Sequence, residues 1–145
     1  ILWLVRVGYL QDFYMPRRSK RLRPLIFLIT WLLICLVEIR YWQAPLATEI
    51  VLLFTLMLTG TMSLITLFWK ISFHVATIST AFVALVIVVG LKAWPVLLLI
   101  PLTAWSRVRL QRHTPHQVLM GCLIGILIAL LMSQHPVVTR LLAVR

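Results

Sequence analysis

Long apolar runs separated by short polar loops dominate the pattern of residues along this chain. A helix needs about 20 mostly apolar residues to cross the hydrocarbon core of a bilayer. By this measure the sequence predicts five membrane-spanning helices, at residues 24–39, 46–69, 73–91, 96–105 and 117–132. Two of these runs are short, which predicts helix tilt or partial burial. Residues 1–10 are apolar and amphipathic, and we interpret them as the end of a truncated first helix. The expected fold is all-α, a polytopic membrane helix bundle formed by a single domain over residues 1–145.

The composition also indicates a membrane protein. Hydrophobic residues make up 62% of the chain and only three residues are acidic, so the chain cannot present a water-compatible surface around one core. The net charge is +11, but the basic residues lie in short loops beside apolar runs. This placement favours anionic lipid headgroups or a phosphorylated substrate as partners, and we expect no nucleic acid. Cys35 and Cys122 lie inside apolar segments without metal-ligand spacing, and we interpret them as small packing residues.

The basic residues alternate between the predicted loops. The second and fourth loops carry only Arg40 and Lys92. The first loop carries Arg17, Arg18, Lys20, Arg21 and Arg23, the third carries Lys70, and the fifth carries Arg107, Arg109 and Arg112. Odd loops emerge on one face of a bundle, so positive charge converges there. The positive-inside rule predicts that this face is cytoplasmic.

The odd loops contain residues suited to phosphoryl transfer. This chemistry requires positive donors around the phosphate oxygens, and the planar guanidinium group binds two oxygens at once. Arg23, Lys70 and Arg107 are the candidate donors. His113 is a candidate nucleophile, and His74 is placed to protonate a departing oxygen. Because few carboxylates lie nearby, we expect no divalent metal and no cofactor.

The fifth loop resembles the third signature motif of the type 2 phosphatidic acid phosphatase superfamily. These are six-helix membrane lipid phosphatases whose relatives include vanadium haloperoxidases. The family pattern is Ser-Arg, five residues, His, three residues, Asp. Ser106, Arg107 and His113 match this pattern, and Gln117 occupies the position of the Asp.

The other two motifs are retained in part and lie in the other two odd loops. The second motif, Pro-Ser-Gly-His, is present at residues 71–74 as Ile-Ser-Phe-His, which keeps Ser72 and His74. The first motif is a lysine, six residues and then Arg-Pro. It keeps Arg23 and Pro24 but has Pro16 at the lysine position. The resemblance covers nearly the whole chain.

The resemblance implies a role for each matched residue. His113 would form a phosphohistidine intermediate, and His74 would be the general acid. The phosphate would be held by Arg23, Lys70, Ser72, Ser106 and Arg107. The substrate would be a lipid or isoprenoid phosphate.

The amide at position 117 leaves the activity open. In the family the Asp fixes the tautomer of the nucleophilic His and stabilises the imidazolium, whereas Gln117 accepts a hydrogen bond without carrying charge. In the serine-protease triad, replacing the orienting Asp by its amide lowers turnover about ten-thousand-fold. Catalysis is therefore weaker, rescued by a carboxylate such as Asp12, or absent. The alternative hypothesis is a catalytically silent relative that serves as an accessory subunit of a larger membrane complex, with His74 or His116 as a pigment or haem ligand.

Overall fold

The computed structural model describes residues 19–143, and it describes the side chains of residues 24–140, 142 and 143. Within this range the chain is built from helices joined by short turns, without a strand. The α-helices are α1 (Ser19–Tyr41), α2 (Leu46–Phe68), α3 (Phe73–Val89), α4 (Trp94–Leu97), α5 (Leu99–Arg109), α6 (Pro115–Ser133) and α7 (Pro136–Ala143), with a 3₁₀-helix at Gly90–Ala93 between α3 and α4. The all-α prediction is confirmed. The predicted helix end at residues 1–10, Asp12, Pro16 and the basic side chains of the first loop, including that of Arg23, lie outside the described residues.

Four segments are long and apolar enough to cross a membrane. They are Pro24–Tyr41, Leu46–Phe68, Phe73–Leu97 and Pro115–Ser133. These lengths support the prediction of a multi-pass membrane bundle. The predicted span at 96–105 differs, because it is divided between α4 and α5. The 11 residues of α5 extend only roughly 16 Å, about half of the hydrocarbon thickness. By length and composition, four segments of the described residues are candidate spans, and the segment at 96–105 is not among them as a separate helix.

Helices α4 and α5 return the chain along α3. Gly90 follows α3 with a φ of 68°, a backbone conformation that glycine adopts without steric cost, and the chain reverses there. Pro101 has no N–H to donate to the carbonyl of Leu97, and the helix is interrupted at Leu98. Both α4 and α5 pack against α3. The return brings Arg107, near the end of α5, within electrostatic range of His74 at the start of α3.

Small residues allow α3 and α6 to approach closely. A Cβ atom on Gly121 would lie 2.8 Å from the carbonyl oxygen of Ser72, and one on Gly125 would collide with the carbonyl oxygen of Ala76. The hydroxyl of Thr80 donates a hydrogen bond to the carbonyl of Gly125 at 2.9 Å. Close backbone approach at small residues is a common way for helices to associate in membranes. It sets the start of α3 directly against the first turns of α6.

The apolar core continues from this contact along α2 and α7. Its buried members are Ile50, Phe54, Leu58, Met62, Ile71, Ala76, Ile128, Ala129, Met132 and Val138. Helix α1 packs against α2, and apolar residues such as Phe27 and Val37 remain exposed on its surface, as expected for a lipid-facing helix. At the end of the bundle away from Ser72, Arg40 and Glu49 form an ion pair with an N–O distance of 2.7 Å, which connects α1 to α2.

Candidate functional site

The residues singled out in the third and fifth loops lie at one end of the bundle. Ser72 is the N-cap of α3 and His74 lies in its first turn. Arg107 lies in the last turn of α5, and Gln117 lies in the first turn of α6. His113 lies in the turn between α5 and α6. The prediction that the third and fifth loops share a face is therefore confirmed for these residues.

Ser72 joins the start of α3 to the start of α6. Its backbone N–H donates to the carbonyl oxygen of Gln117 at 3.3 Å. Its side chain is completely buried, and its carbonyl lies against Gly121, where any Cβ would intrude. The second and third motifs are thus connected through the backbone.

The turn after α5 holds His113 close to Arg107. Gln111 has a φ of 57°, the left-handed conformation that commonly ends a helix. The N–H of Gln111 donates to the carbonyl of Val108 at 2.9 Å, and the N–H of Arg112 donates to the carbonyl of Arg107 at 3.1 Å. These two bonds form a Schellman motif. The N–H of His113 also donates to the Arg107 carbonyl, at 3.3 Å, so the backbone of His113 is tied to that of Arg107.

The side chain of Gln117 contacts the His113 ring. Its Oε1 accepts a hydrogen bond from the backbone N–H of Thr114 at 3.2 Å and lies 3.3 Å from Nδ1 of His113. A backbone N–H is only a donor, so the atom facing it must be the amide oxygen. That oxygen is only an acceptor, so its contact with the ring is a hydrogen bond when Nδ1 carries the proton. Gln117 therefore favours the ring tautomer with the proton on Nδ1, and it contributes no negative charge.

Two buried hydrogen-bond donors of the matched motifs have no partner among the residues that the structure describes. Among the described side chains, three buried polar atoms lack a hydrogen bond: Oγ1 of Thr66, Oγ of Ser72 and Nε of Arg107. Buried polar groups in proteins are nearly always satisfied, so each such atom calls for an explanation. Ser72 and Arg107 come from different helices that meet at this end of the bundle. Each of these two atoms is a candidate donor to a bound anion.

The electrostatics of this end also favour an anion. The chain has three acidic residues, of which Asp12 lies outside the described residues. Glu49 lies in the first turn of α2 and is paired with Arg40 at the opposite end of the bundle. Glu38 lies near the end of α1, on the same opposite side. No carboxylate of the described range therefore neutralises Arg107, and no group of three or more His, Cys, Asp or Glu side chains in that range could hold a metal ion.

The remaining predicted residues have different positions. Lys70 is half-buried in the segment that joins α2 to α3, two residues before Ser72. Ser106 is half-buried in α5 immediately before Arg107, and its carbonyl accepts the N–H of Leu110 at 3.0 Å. Arg23 lies in α1, with a side chain outside the described part. His116 is exposed at the second position of α6.

Thr114 is the residue of this site that the sequence interpretation missed. It caps α6, and its hydroxyl oxygen accepts the N–H of Gln117 at 3.3 Å while Gln117 bonds back to its N–H, which completes a capping box. The signal was available, because Thr-x-x-Gln with a proline at the first helical position is a helix-start pattern. Gln111 had no comparable signal, since glutamine is not typical of the left-handed conformation.

Comparison with known families agrees with this geometry. The family model of the PAP2 superfamily matches residues 7–138. No curated protein and no solved structure matches the chain. The fold and the motif residues define a membrane-embedded, phosphatase-like protein. The chain belongs to the PAP2 superfamily, which confirms the resemblance drawn from the three motifs.

Proposed function

We propose that this protein hydrolyses a lipid or isoprenoid phosphate through a phosphohistidine intermediate on His113. One observation carries the proposal. Oγ of Ser72 and Nε of Arg107 are two buried donors without a hydrogen-bond partner in the described part of the chain, and they lie at the end of the bundle where Gln117 contacts the His113 ring. Catalysis of phosphoryl transfer depends mainly on such positioned donors around the equatorial oxygens. Arg23, Lys70 and Ser106 are proposed as further phosphate ligands from their positions in the family motifs.

The reaction would proceed in two steps. In the first, Nε2 of His113 attacks phosphorus, the bond from phosphorus to the lipid oxygen breaks, and His74 donates a proton to that oxygen, which releases a lipid alcohol. In the second, a water molecule attacks the phosphohistidine. His74, now neutral, accepts a proton from that water, the N–P bond breaks and inorganic phosphate leaves. Arg107 and Ser72 would stabilise the phosphate oxygens in both steps.

Gln117 would lower the rate without preventing the reaction. Its amide oxygen, 3.3 Å from Nδ1, would keep the proton there and leave the lone pair on the attacking Nε2. The phosphorylated ring is cationic, and an amide stabilises that charge less than a carboxylate does. The proposed enzyme is therefore slower than a relative with Asp at this position.

The location of the site favours a membrane substrate. His74 is the second residue of a segment apolar enough to cross the bilayer, so the site lies at the boundary between lipid and water. A phosphate headgroup at this depth can reach His113 while its apolar chain remains among the tails. The surrounding lipids are the expected partners, and the positive-inside rule still predicts a cytoplasmic face.

The direct test is phosphate release by the purified full chain in detergent or nanodiscs. The panel would contain phosphatidic acid, an isoprenoid monophosphate and an isoprenoid diphosphate, each with and without EDTA. We expect EDTA-insensitive release from at least one of them, and we expect His113→Ala to abolish it. His116→Ala, which removes an exposed histidine three residues away, is the matched control and should retain activity. Equal activity of wild type and His113→Ala would refute the proposal.

The second candidate is a catalytically silent relative that acts as an accessory subunit of a membrane complex. The neutral side chain at position 117 favours this hypothesis, because it removes the charge that stabilises the imidazolium. In this case His74 or His116 would be available as a pigment or haem ligand. The prediction is co-purification with other membrane proteins in a constant ratio, together with inactivity on the whole panel. A free monomer without partners would count against it.

A further inference from the structure

The side-chain amide of Gln117 has an acceptor oxygen and a donor NH₂ group, so its orientation decides which of them faces His113. The structure favours the orientation with the oxygen toward the ring. If the amide flipped, its NH₂ group would face the backbone N–H of Thr114 and Nδ1 of His113. Two donors would then oppose each other at Thr114, and the NH₂ group would favour the opposite tautomer of the His113 ring. An aspartate has two equivalent oxygens and does not face this problem. A glutamine at this position therefore needs a contact that fixes the orientation of its amide, whereas an aspartate does not.

The contact that fixes the amide orientation is made by Thr114, the N-cap of α6. The hydroxyl oxygen of Thr114 accepts the N–H of Gln117 at 3.3 Å, which holds Thr114 in an extended conformation with φ −80° and ψ 159°. In that conformation the N–H of Thr114 is directed at Oε1 of Gln117. The same oxygen then has a second lone pair for the proton of Nδ1. The cap, the amide and the imidazole thus form a chain of three hydrogen bonds.

We propose that Thr114 is a positioning residue for His113. By capping α6 it fixes the amide of Gln117 with its oxygen toward the ring, and this holds the proton of His113 on Nδ1. Its importance for turnover rests on the phosphatase function proposed above, whereas its effect on the ring does not.

The first test reads the tautomer directly and needs no substrate. The full chain, labelled with ¹⁵N at its four histidines, is studied by NMR in nanodiscs, and the His113→Ala spectrum assigns the signal of that ring. We expect one tautomer with the proton on Nδ1 in the wild type, a mixture in Thr114→Val, and the wild-type pattern in Thr114→Ser, because serine also caps helices. Thr114→Ala serves as a second variant if the valine form does not purify. Thr139→Val, in α7, is the matched control.

The second test is kinetic and uses phosphatidic acid in mixed micelles. We expect Thr114→Val to lower kcat about tenfold with little change in KM, since orientation of the nucleophile matters in the transition state and not in binding. The decisive comparison is a double-mutant cycle. In a Gln117→Asp background both carboxylate oxygens are acceptors and no orientation has to be fixed. Thr114→Val should therefore lower kcat less than about twofold in that background. A merely structural cap would produce the same loss in both backgrounds.

The outcomes separate the two proposals. If Thr114→Val keeps the Nδ1 tautomer and a wild-type kcat, the positioning role is refuted while the phosphatase function stands. If the wild type releases no phosphate but Thr114→Val still mixes the tautomers, the positioning role is supported and the phosphatase function fails. Equal losses of kcat in the wild-type and Gln117→Asp backgrounds, with an unchanged tautomer, would also overturn the positioning role.

Discussion

Replacing Gly125 by alanine should force α3 and α6 apart and destabilise the bundle. The new Cβ would collide with the backbone carbonyl oxygen of Ala76, which cannot rotate away as a side chain could. Inserting a methyl group into a packed contact typically costs about 1–3 kcal/mol. Separation would also weaken the hydrogen bond from Thr80 to the Gly125 carbonyl, a contribution of about 0.6–1.5 kcal/mol between membrane helices. The higher helix propensity of alanine offsets about 1 kcal/mol of this loss. The net expectation is a destabilisation of about 2 kcal/mol.

Gly60 provides the matched control. It lies within α2, and a Cβ placed on it meets no atom within 4 Å. Gly60→Ala therefore gains the helix propensity without a collision, and stability should rise by up to about 1 kcal/mol. The assay is reversible unfolding in mixed micelles, followed by the loss of helical circular dichroism. If Gly125→Ala is as stable as Gly60→Ala, the close approach of α3 and α6 is refuted.

Three further predictions concern the site itself. Arg107→Lys keeps the positive charge but removes the buried Nε–H, so kcat/KM for phosphatidic acid should fall about 10- to 100-fold. The control is Arg109→Lys, which changes an exposed residue in the same helical turn and should have a kcat/KM close to that of the wild type. Equal kcat/KM values for the two variants would mean that Nε of Arg107 does not contact the phosphate. Gln117→Asp places a negative charge beside His113 and should raise kcat. A lower kcat in a variant that keeps the proton on Nδ1 would contradict the role assigned to that charge. Gln111→Gly relieves the left-handed backbone at φ 57° and should stabilise the protein by about 1 kcal/mol in the same unfolding assay, while a loss of stability would show that the glutamine side chain is needed there.

Much of the fold could be predicted from the hydropathy pattern. Three predicted spans agree with α2, α3 and α6 to within two residues at each end, namely 46–69, 73–91 and 117–132. They agree because a long apolar run can satisfy all its backbone hydrogen bonds in a bilayer by forming a helix. The segment at 96–105 was apolar enough to suggest a span of its own. The structure instead divides this segment at Leu98, three residues before Pro101, and turns the chain at Gly90, and both features are properties of the backbone and not of hydropathy.

The site could be predicted in its residues but not in its connections. The alternation of basic loops placed His74, Arg107 and His113 on one face, and the structure brings them to one end of the bundle. The motif comparison identified Gln117 as a departure from the family pattern. The helix-start pattern at Thr114 was readable in the sequence, but the three-dimensional structure is needed to show that the Gln117 oxygen faces Nδ1 of His113, because amide orientation has no sequence signature.

The central claim is that His113 is the nucleophile of a phosphoryl-transfer site, and trapping the intermediate tests it most directly. Purified wild-type protein would be mixed with phosphatidic acid labelled at the phosphate, quenched at high pH within seconds and digested for mass spectrometry. The account predicts an acid-labile, base-stable phosphate on His113 that is absent in His113→Ala and present in His116→Ala. Measurable phosphate release with no phosphate on His113, or a phosphate carried by another residue, would contradict the account.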